Sequence, residues 1–155
     1  MDLARNLKVE SVSRLDPTPP RQVGPQQSVA EAVALMRHEN VGCVLVCQDG
    51  RVIGIFTERD LMRRVLAQGK PLTLPVSQFM TPDPVIVHPK DPIRVAVRRM
   101  EEGGYRHLPV VEEHGQVVGI LSVKRIVHYL VEHFPATIYN LPPDPSAVPQ
   151  EREGA

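Results

Sequence analysis

Apolar and polar positions follow a schedule along this chain, and the schedule runs twice. From Ser28, apolar side chains at Ala32, Leu35 and Met36 recur at helical spacing, and Glu31 completes a capping box with Ser28, so a helix starts there. Val41–Cys47 and Arg51–Phe56 are β-rich and separated by Asp49-Gly50, which predicts two strands joined as a hairpin. Thr57 opens a second helix running to about Gln68, where Gly69-Lys70-Pro71 stops it. The schedule restarts with a strand at Val85–His88. Asp91 is expected to cap a helix through Glu101, with Pro92 in its first position and Gly103-Gly104 ending it. Strands at Tyr105–Val111 and Gln116–Leu121 and a helix at Ser122–Phe134 complete the second copy.

Pro25 and Pro89 stand 64 positions apart, as do Met36 and Met100. Gly54 and Gly119 stand 65 apart, because one extra residue falls in the loop Glu112–Gly115. A duplication of this kind decides architecture before any local signal does. Each unit reads strand, helix, strand, strand, helix, which makes the fold class α+β. One unit of roughly 55 residues would bury too little surface alone, so the two βαββα repeats are expected to pack about a pseudo-twofold axis. The boundaries read as an N-terminal extension at 1–20, a first repeat at 21–70, a linker at 71–84 and a second repeat at 85–134. A proline-rich tail at 135–155 is expected to be extended or disordered. The sequence does not say whether residues 1–20 pack on the body.

Composition narrows the partners. Eighteen basic and eighteen acidic residues give a formal net charge of zero, so there is no bulk attraction to nucleic acid or anionic lipid. The longest apolar stretch, Val41–Cys47, is far short of the roughly 20 residues that span a bilayer, and Met1–Pro20 lacks a signal peptide's apolar block. A cytoplasmic protein is the expectation. Cys43 and Cys47 lie on one strand, too far apart to form a disulfide with each other, and read as reduced core thiols.

The repeated segments resemble a tandem pair of CBS domains, a Bateman module. The resemblance rests on "MRHENVGCVLV" with "MEEGGYRHLPVV", on "GIFTERDLM" with "GILSVKRIV", and on the connecting "FMTPDPVIV". It implies βαββα repeats, dimers, and adenosine-containing ligands held in clefts between the repeats. The ligand motif of that family, Gly-apolar-x-Ser/Thr-x-x-Asp, is intact in the first repeat as Gly54, Thr57 and Asp60. An aspartate can accept hydrogen bonds from both hydroxyls of a ribose, while a helix N-terminus and a threonine hydroxyl suit a phosphate. Thr57 and Asp60 also make an ordinary capping box, and both roles can hold together.

In the second repeat Ser122 keeps its place but Arg125 replaces the aspartate, and a guanidinium cannot accept from a ribose hydroxyl. The second cleft should be empty or hold something other than a conventionally bound nucleoside. Lys124, Arg125, Arg106 and His107 would face the Asp60 cleft and suit a polyphosphate. By resemblance, Val23, Val41, Gly42, Cys43, Ile86, Val87 and His88 are candidates to hold the base. The expected ligand is AMP, ADP or ATP, with S-adenosylmethionine or NAD less suited.

The six histidines make no His-x-x-x-His pair, and no Gly-x-Ser-x-Gly, P-loop or Gly-x-Gly-x-x-Gly motif occurs, so neither a metal site nor catalysis is expected. Arg63-Arg64 and Arg98-Arg99 read as solvated helix faces. Two readings remain. One is a regulatory sensor of an adenine nucleotide, a homodimer through its helical faces with an unknown regulated partner. The alternative is a dimerisation or protein-interaction module with vestigial clefts.

Overall fold

The computed structural model describes residues 2–139. Its first sheet has the strand order β1 (Gln22–Val23), β2 (Cys43–Gln48), β3 (Arg51–Thr57), β4 (Thr81–Pro82). β1 runs parallel to β2, and the remaining neighbours are antiparallel. Asp49 and Gly50 close the β2–β3 hairpin with φ of 52° and 77°, the left-handed pair that a tight hairpin turn requires. Helix α2 (Val29–Glu39) crosses from β1 to β2, and its start is the reciprocal capping box of Ser28 and Glu31. Val29, Ala32 and Met36 on its inner face pack with Val44, Val46 and Phe56 into the first core. After β3 the chain enters α3 (Glu58–Asp60) and then a π-helical stretch, Leu61–Leu66. The helix ends at Leu66 with Ala67 as its C-cap, two residues before Gln68, where the sequence placed its approximate end.

The second half repeats the plan in looser form. β5 (His107–Val111) and β6 (Val117–Ser122) form the hairpin, with α4 (Ile93–Gly103) before it and α5 (Val123–His133) after it. Both hairpins carry an irregularity at the same place, after Val46 and after Val110. The strand expected at Val85–His88 reduces to a single parallel bridge between Val87 and Val110. Asp91 does not cap α4: its Oδ2 accepts from the His88 amide at 2.8 Å, and Pro92 precedes the helix without a side-chain bond. Pro135–Tyr139 form a short helix, α6, where extended chain was expected. The remainder of the tail reading, residues 140–155, lies outside the described residues.

The N-terminal residues belong to the second half. Helix α1 (Leu3–Val9) leads into a 3-10 turn, Val12–Leu15, whose amides bond the loop before α4: Val12 N to Asp91 O at 2.8 Å and Ser13 N to Pro89 O at 3.0 Å. Val12 and Leu15 are buried with Val87, Ile93, Leu108 and Leu121 in the second core. Thr18 then bridges Ile120 on β6, just as β4 pairs with β3. Each half therefore receives its last strand from the segment leading into the other half. A third cluster joins the two sheets face to face, with Cys43, Leu45 and Ile55 meeting Val111, Val117 and Ile120.

The exchange explains the paired glycines. A Cβ on Gly54 would press on the Met80 side chain and stand 3.1 Å from Thr81 O; one on Gly119 would stand 2.9 Å from Pro17 Cβ and 3.1 Å from Thr18 O. Gly54→Ala is expected to cost about 1–3 kcal/mol, the usual cost of overpacking, because the obstacle includes backbone. Urea unfolding checks this; an unchanged midpoint would show that β4 can step aside.

Candidate functional site

One cavity of about 430 Å³ opens between the halves. Three pieces of chain bound it: the start of the helix after β3, from Thr57 to Arg64; the incoming connector, Thr81 to Val85; and the loop before β5, Gly103 to His107. The connector reaches the cavity because β4 is stitched to β3 at Gly54 and Ile55. The loop reaches it because α4 stops at Gly104, whose φ of 68° reverses the chain.

Asp60 sits on the first of these walls, 7% exposed. Its Oδ2 accepts from Thr57 N and Thr57 Oγ1, each at 3.1 Å, and Thr57 Oγ1 accepts from Asp60 N at 3.2 Å. Its Oδ1 accepts from Thr81 Oγ1 at 3.3 Å and stands 3.5 Å from Arg64 Nε. A carboxylate offers about four acceptor positions, and these four partners use them. The capping box of the sequence reading is thus realised, with Thr81 and Arg64 added. The longer of these contacts are the two at Oδ1.

Arg64 does more than face Asp60. Its Nη1 donates to Met80 O at 2.9 Å and Phe79 O at 3.4 Å, tying the helix to the connector. The π-helical turns, seen in the i+5 bonds from Ala67 N to Met62 O and Lys70 N to Val65 O, widen the helix where it carries Arg63 and Arg64. Arg63 and Arg64 are exposed, as the sequence reading has them, but both border the cavity rather than open solvent alone. Arg99 is likewise engaged, donating to Ile86 O at 2.6 Å. Arg59 reaches across the cleft to Gly104 O at 3.4 Å.

The second half supplies Arg106 and His107. Burial pushes the His107 imidazole below its ordinary value; Glu58 pulls the other way, and Lys124 and Arg106 add to the depression. Glu58 and His107 meet over Gly42, where a Cβ would stand 3.5 Å from the imidazole and 3.7 Å from the Glu58 carboxyl carbon. The glycine leaves room for both. Cys43 beside them is pushed up to about 12 by burial and by Glu58, so its thiol stays protonated.

Of the residues singled out in the sequence, Gly42, Thr57, Asp60, Arg106 and His107 come together on this cavity. Lys124 lies near enough to His107 to act on its charge without lining the cavity. The others lie elsewhere. Gly54 is packed under Met80, Val23 and Val41 belong to the first core, Cys43 to the inter-sheet cluster and Val87 to the second core. His88 Nδ1 bonds Val111 O at 2.6 Å, Ile86 lies on the inter-sheet cluster, and Ser122 caps α5 by accepting from Arg125 N at 3.3 Å. Arg125 is half-buried and off the cavity.

As cavity-lining residues, sequence reasoning missed Ile55, Glu58, Arg59, Arg63 and Arg64, the connector from Thr81 to Val85, and the loop from Gly103 to Tyr105. The signal available was Met80-Thr81-Pro82-Asp83-Pro84 itself, a proline-paced stretch too extended for a loose linker. Among the described residues no three His, Cys, Asp or Glu side chains stand close enough to hold a metal. No described helix is long and apolar enough to cross a membrane.

Comparison with known proteins agrees with this geometry. The family model of the CBS domain matches residues 12–67 and again 76–132. The chain is 35% identical over 101 residues to the CBS domain-containing protein YhcV of Bacillus subtilis, covering 65% of this chain and 71% of that one. It is 40% identical over 105 residues to the meiotically up-regulated gene 70 protein of Schizosaccharomyces pombe; the match takes 67% of this chain but spans only 14% of that longer relative. A solved CBS domain protein from Pyrobaculum aerophilum, PAE2072, complexed with AMP, superposes with a TM-score of 0.71 at 26% identity, covering 79% of this chain and 99% of that one.

Proposed function

Because this chain belongs to the CBS-domain family, as two tandem repeats, we propose that it is a regulatory module whose Asp60 cleft binds an adenine nucleotide. One observation carries the reading. The cavity sets a buried carboxylate from one half opposite an arginine and a histidine from the other, with Arg59, Arg63 and Arg64 beside them. Such a site suits a sugar diol joined to a phosphate chain. AMP is the ligand of the superposed Pyrobaculum protein, which supports the adenine nucleotide. The arginines favour AMP, ADP or ATP over S-adenosylmethionine, which is itself a cation, and over NAD. Since the ligand touches both halves, its binding energy can alter the angle between them or the surface a partner sees. Calorimetry with the five ligands tests the proposal, and no binding at millimolar ligand by any of them rejects it.

The protonation of His107 adds a second expected result. With its basicity depressed in the fold, His107 is neutral near pH 7, whereas a phosphate beside it favours the imidazolium. Binding should therefore take up a fraction of a proton, and more as pH falls toward the ordinary imidazole value of about 6.5. The free protein shows the opposite trend: below about 6.5 the unfolded chain binds the proton more readily, so stability falls with pH until it passes the lowered folded value. Calorimetry in buffers of different ionisation heat reads the proton. His107→Gln should abolish the uptake; equal uptake in both proteins would place it on another group.

Dimerisation belongs to the same proposal. Met62 and Leu66 on the π-helical turns are 64% and 56% exposed, and Val123 and Val127 on α5 are 40% and 52% exposed. These are the helical faces that a second copy would cover. The saturated Asp60 favours the second reading, an interaction module with vestigial clefts. A stable dimer by light scattering, with no thermal shift from any nucleotide, would decide for it.

A further inference from the structure

The internal repeat allows the side opposite the cavity to be read position by position. Thr18 pairs with Ile120 as Thr81 pairs with Ile55, and Val23 pairs with Val46 as Val87 pairs with Val110. Between these anchors the second connector holds one extra residue, and Asp83 with φ of 46° marks its turn. Counting back from Val23 and Val87 puts Arg21 in the place of Val85. Helices α2 and α4 end at Glu39 and Gly103, each followed by a left-handed residue, Asn40 or Gly104. Glu39 thus stands in the place of Gly103. Val85 and Gly103 both line the open cavity.

Their counterparts are joined. Arg21 Nη2 lies 3.1 Å from Glu39 Oε2, and Arg21 Nη1 donates to Pro19 O at 3.4 Å. The Arg21 backbone is itself fixed, its carbonyl accepting from Leu45 N at 2.8 Å; its side chain is 31% exposed, but its Nε is buried without a hydrogen-bond partner among the described residues. The contacts to Glu39 and Pro19 O place the guanidinium between the connector and the end of α2. We propose that the Arg21–Glu39 pair fills the second cleft, so that the chain takes one nucleotide rather than two.

The surrounding positions agree. Gly42 and Cys43 stand where the open cleft has Arg106 and His107, because Cys43 pairs with Thr57 as His107 pairs with Ser122. Arg125 stands where it has Asp60. The second cleft therefore lacks the acceptor for a diol and has Gly42 and Cys43 in the places of Arg106 and His107, and an internal ion pair spans the gap. The consequence is mechanical. One side of the module is strutted by its own side chains while the other responds to ligand, so any change of angle pivots about Arg21.

The inference rests on the nucleotide reading of the first cleft, and native mass spectrometry with ATP separates the two. One ATP per chain is the expected count. Two per chain overturns the strut while leaving the nucleotide reading intact, whereas none at millimolar ATP overturns both. Arg106→Ala, at an exposed position, should weaken all of the binding by roughly tenfold or more, as for loss of a charged partner; a full-strength event surviving in that variant overturns the single-site claim. Conversely, Arg21→Val with Glu39→Gly and Arg125→Asp copies the open cleft and should raise the count to two. A folded triple variant that still takes one ATP counts against Arg21 and Glu39 as the closure.

Discussion

Asp60→Ala should weaken nucleotide binding by about 1.5–3 kcal/mol, roughly ten- to 150-fold in Kd, as for loss of a charged hydrogen-bonding partner. The same substitution should also lower stability. It removes the third-position member of the capping box, with Thr57 kept as the cap, and leaves Thr57 N, Thr81 Oγ1 and Arg64 without their acceptor, at about 1–3 kcal/mol. The two effects must be separated, and Glu31→Ala provides the control. Glu31 holds in the α2 capping box the place Asp60 holds in the other, accepting from Ser28 N at 3.0 Å away from the cavity lining, so its loss should lower stability without changing affinity. If the two variants lose affinity equally, or Asp60→Ala loses none, Asp60 serves the capping box and nothing more.

Leu15→Ala should destabilise the protein by about 2–5 kcal/mol, the range for emptying a core leucine site. Leu15 is 3% exposed and sits among Val87, Ile93 and Leu108, in the core of the second half. Deleting residues 2–18 should be worse, because it also removes Val12 from the core and Thr18 from the edge of β6. Hydrogen exchange would locate the damage: amides of β5 and β6 should lose protection before those of β2 and β3. A truncated chain with the full-length unfolding midpoint would mean that the N-terminal segment merely rests on the surface.

These two residues mark what the sequence could and could not disclose. The pattern from Val41 to Phe56 reads as a hairpin because alternation of β-branched residues and Asp49-Gly50 are local signals, and the backbone obeys them. Ser28 with Glu31 and Thr57 with Asp60 read as caps for the same reason, since donor and acceptor are three residues apart. Leu15 carries no such signal. It lies in a proline-rich stretch that looks like a loose leader, and its partners are more than 70 residues away. Gly54 shows the same limit at the site: its spacing in the motif suggested a ligand's approach, whereas its empty side is filled by Met80. Arg63 and Arg64 read as solvated because helical periodicity places them outside, and only the connector's return past the helix turns that outside into a cavity wall.

By itself the sequence determined the duplication, the βαββα plan of each copy, the family, and the difference between Asp60 and Arg125. Those follow from short-range chemistry and from comparing the chain with itself. Tertiary structure alone decided that each half borrows its last strand from the segment leading into the other, which residues share the cleft, and that Arg21 meets Glu39 on the opposite side. The physical reason is that these outcomes depend on which surfaces are buried together. Burial is a property of contacts between distant segments, and no local pattern encodes the distance across a cleft.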